Sequence, residues 1–263
     1  MKRWSNLFLF SAERDAIIAT LQTALQELGY TLYNPFGGMP GLAYPQTVKL
    51  FVSPPEGDII RIIGEPINEL LPPLSQCGLC LMLSFDEESA SIMLYQHGQE
   101  TSLQALAPYL REGKTLADVE AALNNTPIVD DEHEHLSDVP LTALPEDMQT
   151  LAQGVNPQEA DKLFQRFAGK LLRNDEERAA AQALLKPQSP NWNSVGGRQA
   201  MAIMSCLPVS SNWHQPDFIT LRDAYQLHAR RQRRPQAKLL PGDAEAMAAV
   251  PNALEYVPIY GGK

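Results

Sequence analysis

Hydrophobic positions near the start of the chain switch from a strand-like run to a helical spacing. Residues 7–10 (Leu-Phe-Leu-Phe) form a continuous apolar run, which is typical of a strand buried on both faces. Apolar residues then recur on one helical face between Ile17 and Leu28, and Gly29 is a common residue at a helix end. This pattern predicts a strand followed by a helix that Ser11 caps.

Similar patterns continue as far as residue 125. Polar and apolar side chains alternate over residues 47–52, and an apolar run at 59–63 predicts the next strand. Residues 79–85 and 91–95 are predicted to form a hairpin around an acidic turn. One further strand and three helices complete the pattern: residues 30–33, 66–74, 101–110 and 115–123. The order β-α-β-β-β-α-β-β-α predicts an α+β fold class. We expect a two-layer domain at residues 1–125, with a mainly antiparallel sheet and helices on one face.

The second half of the chain has a different pattern. Residues 126–147 contain three prolines and seven acidic residues with few apolar ones, which predicts an acidic linker. Residues 148–263 show repeated helical stripes, among them Phe218, Leu221 and Tyr225. The last segment, from about residue 241, is rich in proline and aromatic side chains. We therefore predict an α-helical region at 148–263 whose C-terminal tail is docked on the rest of the protein.

Charge separates the two halves of the chain. The net charge is −10 overall, but residues 1–147 hold 7 Lys/Arg against 21 Asp/Glu, and residues 148–263 hold 14 against 10. An acidic molecule repels phosphates, so binding of nucleic acid is not expected. Neither a secretory leader nor an apolar stretch long enough for a membrane span is present in the pattern. A cytoplasmic protein without a membrane partner is the expectation.

Candidate chemistry in the sequence is sparse. Cys77 and Cys80 have the spacing of redox pairs and of half a zinc site, but a strand follows them where a thioredoxin-like motif would open a helix. The acidic and histidine run at residues 130–135 could chelate a metal, although a solvated charge run is the simpler interpretation. Ser194 and Arg198 flank a glycine pair that could hold an anion, but Ser194 as an ordinary helix N-cap is the preferred interpretation. No nucleophile–base motif accompanies these residues, so no catalytic residue, metal site or cofactor is assigned.

The loop at residues 34–46 is a candidate binding surface. Phe36, Met39 and Tyr44 are large apolar residues on a backbone dense in glycine and proline. Such side chains often anchor protein interfaces. The alternative is that they fold back on the core, and the sequence does not distinguish the two.

A second candidate surface is a run of cations at the end of the last long predicted helix. It consists of Arg230, Arg231, Arg233 and Arg234, and Pro235 closes it. The run could bind phosphates, remain solvated, or contact an acidic protein segment such as the acidic half of this chain or its linker. A tethered segment is present at a high effective concentration, so a contact with the chain's own acidic half or linker is preferred over nucleic acid.

These observations favour a non-enzymatic protein-interaction or regulatory protein with an unidentified protein partner. A thiol- or metal-dependent enzyme is the first alternative, using Cys77 and Cys80 or the run at 130–135. A nucleic-acid-associated accessory protein that uses the arginine run is the second.

Overall fold

The computed structural model describes residues 4–36, 44–124, 190–236, 238–240 and 242–263. Its strands are β1 (Trp4–Phe10), β2 (Thr31–Leu32), β3 (Thr47–Val52), β4 (Ile59–Gly64), β5 (Leu79–Phe85), β6 (Ala90–Gln96), β7 (Gln99–Thr101) and β8 (Val257–Gly262). Its α-helices are α1 (Arg14–Glu27), α2 (Leu71–Leu74), α3 (Leu116–Asn124), α4 (Val195–Ser205), α5 (Phe218–Arg233) and α6 (Asp243–Ala249). Short 3-10 helices lie at Asn68–Leu70, Leu103–Tyr109 and Ala253–Glu255. None of the helices in these ranges is both long and apolar enough to cross a membrane.

One eight-stranded sheet organises the described residues. Its strand order is β2-β8-β3-β4-β1-β5-β6-β7, and every neighbouring pair is antiparallel. The apolar first strand, β1, lies at the centre, so that Phe8 is opposite Arg61 of β4 on one side and Leu81 of β5 on the other. The predicted α+β class with a mainly antiparallel sheet is confirmed.

Helices cover both faces of the sheet. Leu7 and Leu9 of β1 pack on the face that α1 and α2 cover. Phe8 and Phe10 point to the opposite face because side chains alternate along a strand, and there they join α3 and α4. The prediction of a two-layer domain with helices on one face is therefore wrong. A continuous apolar run such as 7–10 requires cover on two sides.

The C-terminal helices supply the cover for the second face. α4 packs over the half of the sheet formed by β1, β5 and β6. α5 packs over β3, β4 and β8, where Leu221 and Ala224 are fully buried against residues such as Phe51. Each of these two helices thus packs with strand residues that lie far away in the chain.

The end of the chain is a strand inside the sheet. β8 lies between β2 and β3 and pairs with β3 along six positions. Gly262 allows the Tyr44 ring to approach, since a Cβ atom there would lie 2.3 Å from the ring. Residues 1–127 and 191–263 form one compact unit, whereas the sequence pattern placed 191–263 in a separate helical region. The predicted linker at 126–147 lies outside the described residues and stays a prediction.

Candidate functional site

Phe36 of the predicted binding loop belongs to the core. Its backbone amide donates to the Asn34 Oδ1 at 2.9 Å, a local turn. The ring is 9% exposed and lies 4.7 Å from the ring centroid of Tyr225 and 5.7 Å from that of Tyr260. Of the two interpretations left open by the sequence, the described contacts of Phe36 favour folding back on the core.

Tyr44 also packs within the chain, although it is only half-buried. Its ring stacks on Tyr33 with centroids 5.4 Å apart and lies against Gly262. Met39, the third predicted anchor, lies outside the described residues. Neither Phe36 nor Tyr44 is presented to solvent as an isolated apolar anchor would be.

The four predicted arginines lie at the C-terminal end of α5 and are all exposed. Arg230, Arg231 and Arg233 occupy the last turn, and Arg234 is the C-cap residue. We call these four residues the arginine surface. In the part of the chain that the structure describes, none of them forms an ion pair with a carboxylate. The predicted contact with the acidic half of the chain is therefore not made by its described residues.

The cysteine pair lies in the core and beside it. Cys80 is fully buried in β5, and burial raises the pKa of its thiol to about 12. Cys77 is half-buried, with its Sγ 3.3 Å from the Thr20 hydroxyl oxygen. A raised thiol pKa disfavours the thiolate that redox and metal chemistry require. Among the described residues no group of three His, Cys, Asp or Glu side chains could hold a metal ion, and the run at 130–135 lies outside them.

The glycine pair near Ser194 begins a helix. The Ser194 hydroxyl oxygen accepts a hydrogen bond from the Gly197 amide at 3.0 Å, so Ser194 caps α4 as the simpler interpretation expects. A Cβ at Gly196 would meet the carbonyl oxygen of Asp86 at 2.3 Å. Backbone of the β5–β6 hairpin therefore lies against this helix start.

The sequence pattern did not identify Arg61, which lies in β4 between two isoleucine pairs. Its side chain points to the same face as Ile59 and Ile63 and is only 8% exposed. The guanidinium Nη2 donates to the backbone carbonyls of Gln215 at 2.8 Å and Pro216 at 3.2 Å. The sequence did contain a signal for this residue, namely one charged side chain inside the apolar run Ile-Ile-Arg-Ile-Ile. Charged side chains are rarely buried in a strand unless they are paired.

A cleft of about 260 Å³ opens beside this guanidinium. Its lining surface is polar and apolar in similar measure, and its residues are Phe8, Ser53, Pro54, Pro55, Glu56, Ile59, Arg61, Val209, Trp213, Gln215, Asn252 and Tyr256. We call it the Arg61 cleft. Its wall combines N-terminal and C-terminal segments of the chain, because the turn between β3 and β4 meets the loop before α5. Glu56 holds that junction by accepting from the Ser210 amide at 3.2 Å.

Burial dominates the electrostatics of the Arg61 cleft. It lowers the pKa of Arg61 to about 10, although the Tyr256 phenol and the Glu56 and Asp217 carboxylates favour the charged form. The guanidinium is therefore still a cation at neutral pH. Burial also raises the pKa of Tyr256, so the phenol stays protonated. Burial and then the Arg61 charge lower the pKa of His214, and its Nδ1 is buried with no described partner.

An aromatic cluster supports the floor of the cleft. The Trp213 ring packs edge-to-face against Phe8 at 5.6 Å, Trp192 at 5.5 Å and Trp4 at 5.8 Å between centroids. Edge-to-face pairs of this kind each stabilise the fold by about 0.5–1.5 kcal/mol beyond area burial. The wall beside Arg61 is thus held in place by packing from β1 and from the segment before α4.

These features define an α+β protein with a central antiparallel sheet covered on both faces, and with a partly polar cleft beside β4. No family model matches the chain, and no curated protein or solved structure matches it either.

Proposed function

We propose that this chain is a non-enzymatic interaction protein that binds an acidic segment of a protein partner through the arginine surface. The observation that carries the proposal is the exposure of four arginines at one helix end, without ion pairs to described carboxylates. A guanidinium presents a planar fork of donors that matches a carboxylate. Four such groups within five positions offer a compact target for an acidic segment.

The surface is presented on a rigid support. Asp217 caps the N-terminus of α5 by accepting from the amides of Ile219 and Thr220, both at 2.9 Å. Leu221 and Ala224 then bury the first half of the helix against the sheet. A preorganised helix loses less conformational entropy on binding than a flexible basic tail would.

Magnitudes limit the type of complex. An exposed ion pair contributes roughly 0–1 kcal/mol, so four of them support a weak, salt-sensitive contact. A protein partner is preferred over nucleic acid because the whole molecule carries a net charge of −10, which opposes the approach of a polyphosphate at long range. An acidic protein segment has a lower and more local charge.

Binding to defined acidic probes tests the proposal. Fluorescence anisotropy of the intact protein is measured with a labelled glutamate-rich 20-residue peptide and with a DNA duplex of similar length. We expect the peptide to bind, and replacement of all four arginines by Gln to weaken it about tenfold or more. Replacement of all four by Lys keeps the charge and should cost about threefold or less. The exposed Lys114→Gln is the matched control for a lost cation elsewhere.

Two results would contradict the proposal. Equal binding by the wild type and the four-Gln variant would assign the peptide to another surface. Tighter binding of the duplex than of the peptide at about 150 mM salt, roughly physiological ionic strength, would favour the nucleic-acid alternative. If the intact protein binds neither probe, the proposal of an external partner fails. A larger scattering radius of the four-Gln variant would then assign the arginines to the chain's own acidic stretch at 126–147.

A further inference from the structure

One buried donor nitrogen of the Arg61 guanidinium, Nη1, has no partner at ordinary hydrogen-bond geometry among the described residues, although the Tyr256 phenol interacts with the same guanidinium. Nη2 is occupied by the carbonyls of Gln215 and Pro216. The side chain as a whole is 8% exposed and lines the Arg61 cleft. The Nη1 donor therefore belongs to a buried cation at the inner wall of a cleft.

A buried cation with an unpaired donor destabilises the folded protein unless something supplies the missing acceptor. A buried polar donor without an acceptor costs about 1–3 kcal/mol, and more when it is charged. More than about nine in ten buried polar groups in proteins are paired for this reason. The carboxylate of Glu56 does not relieve the cost by a direct ion pair in the described structure, since its oxygen accepts from the Ser210 amide at 3.2 Å.

The walls of the cleft restrict what can supply the acceptor. The apolar part of the lining comes from Phe8, Pro54, Val209, Trp213 and Tyr256, and its polar part includes Gln215 and Asn252. The volume of about 260 Å³ is below the usual range for a drug-sized ligand. A compact group with an apolar body and one acidic end fits both limits.

We propose that the Arg61 cleft binds a monocarboxylate on a compact apolar or aromatic group, with the carboxylate accepting from Nη1 of Arg61. The carboxylate completes the hydrogen bonding of the buried cation, and the apolar group lies against the aromatic wall. Nη2 stays on its two backbone carbonyls. The site does not depend on the arginine surface, which lies at the other end of α5.

Charge at the edge of the cleft favours a single negative charge. Glu56 is exposed and lines the cleft, and its charge offsets part of the lowering that burial imposes on the pKa of Arg61. A dianionic phosphate meets this carboxylate with twice the charge, and it loses more hydration than a monoanion on entering a largely buried site. A monocarboxylate meets about half of that repulsion.

The same ligand chemistry has two sources. A free carboxylic acid of low mass presents it, and so does the C-terminal carboxylate of a peptide that ends in an aromatic residue. A matched set of probes separates charge, apolar contact and source. The set is phenylacetate, its uncharged isostere phenylacetamide, acetate, inorganic phosphate, and a hexapeptide with a C-terminal phenylalanine.

Calorimetry and ligand-observed NMR on the intact protein give the affinities. We expect phenylacetate to bind about tenfold or more tightly than phenylacetamide. Acetate and inorganic phosphate should bind more weakly than phenylacetate, because the first lacks the apolar group and the second carries more charge. Tighter binding of the hexapeptide than of phenylacetate assigns the site to a peptide C-terminus, and the reverse order assigns it to a free acid.

Two variants test the residues. Arg61→Lys keeps the cation but replaces the guanidinium fork, and it should weaken phenylacetate about tenfold or more. Glu56→Gln removes the charge at the edge, while the amide oxygen can still accept from Ser210. It should strengthen phenylacetate about two- to threefold. The Glu56 variant keeps the proposal testable if Arg61→Lys fails to fold, because an exposed position tolerates the change.

Three results would overturn the proposal. The first is equal binding of phenylacetate and phenylacetamide, which would remove the role of charge. The second is unchanged phenylacetate affinity in a folded Arg61→Lys variant. The third is no saturable binding of any carboxylate probe up to about 10 mM.

Discussion

The two ends of α5 present the same chemical group in opposite environments. At the N-terminal end, the Arg61 guanidinium is buried against the carbonyls of Gln215 and Pro216. At the C-terminal end, the arginine surface is exposed. The helix is 16 residues long, which places the two ends about 24 Å apart. Burial makes the first group sensitive to geometry, and exposure makes the second sensitive mainly to charge and salt.

The difference shows what each region can recognise. A buried cation lies in a low-dielectric wall, so one well-placed acceptor has a large effect on it. An exposed cation is screened, so only several together produce a measurable contact. The first arrangement suits a small ligand of defined shape, and the second suits an extended acidic segment.

The largest expected effect is the loss of stability when a buried side chain that packs α5 on the sheet is truncated. Leu221 is fully buried on α5, so Leu221→Ala should lower the free energy of unfolding by about 2–5 kcal/mol. Urea denaturation followed by tryptophan fluorescence measures this change. The exposed Gln226→Ala on the same helix is the control and should change it by about 0.5 kcal/mol or less. Equal effects of the two variants would contradict the packing of α5 on the sheet.

The next effect compares the two kinds of arginine directly. Arg61→Ala removes two hydrogen bonds from a charged donor to backbone carbonyls and should cost about 2–3 kcal/mol. Arg231→Ala makes the same chemical change at an exposed position and should cost about 0.5 kcal/mol or less. Thermal or urea unfolding of both variants gives the difference. A larger loss at Arg231 than at Arg61 would reverse the comparison.

The smallest expected effect is on stability when the whole arginine surface is neutralised. Because the four side chains are exposed and make no ion pairs with described carboxylates, the four-Gln variant should unfold within about 1 kcal/mol of the wild type. Its binding of acidic peptide should nevertheless weaken about tenfold or more. A loss of several kcal/mol would show that these side chains support the fold rather than a contact.

The sequence was most informative where a local pattern has one physical meaning. The helical spacing between Ile17 and Leu28 predicts a helix that the structure places at Arg14–Glu27, with Gly29 in the left-handed conformation at φ +83°. The position of Ser194 as the N-cap of α4 was also predicted from the local sequence alone. Ser11, by contrast, is not the helix cap: it has a positive φ of 54° and Glu13 occupies that position.

Contacts between distant parts of the chain could not be predicted from local sequence patterns. The burial of Phe36 depends on Tyr225 and Tyr260, which lie about two hundred positions later and share its aromatic cluster. Arg61 was assigned only as a strand residue, because its carbonyl partners lie more than 150 positions away. Single-sequence patterns report period and polarity, and neither specifies which remote segment covers a strand.

By itself, the sequence determined the α+β class, the apolar first strand and the cationic end of α5, because periodicity, composition and capping act over a few residues. Only the tertiary structure decided that helices cover both faces of the sheet and that the last strand, β8, lies between β2 and β3. It also decided that Arg61 opens on a cleft. The physical reason is that strand pairing and the burial of a charge are set by long-range contacts, whose partners no local pattern encodes.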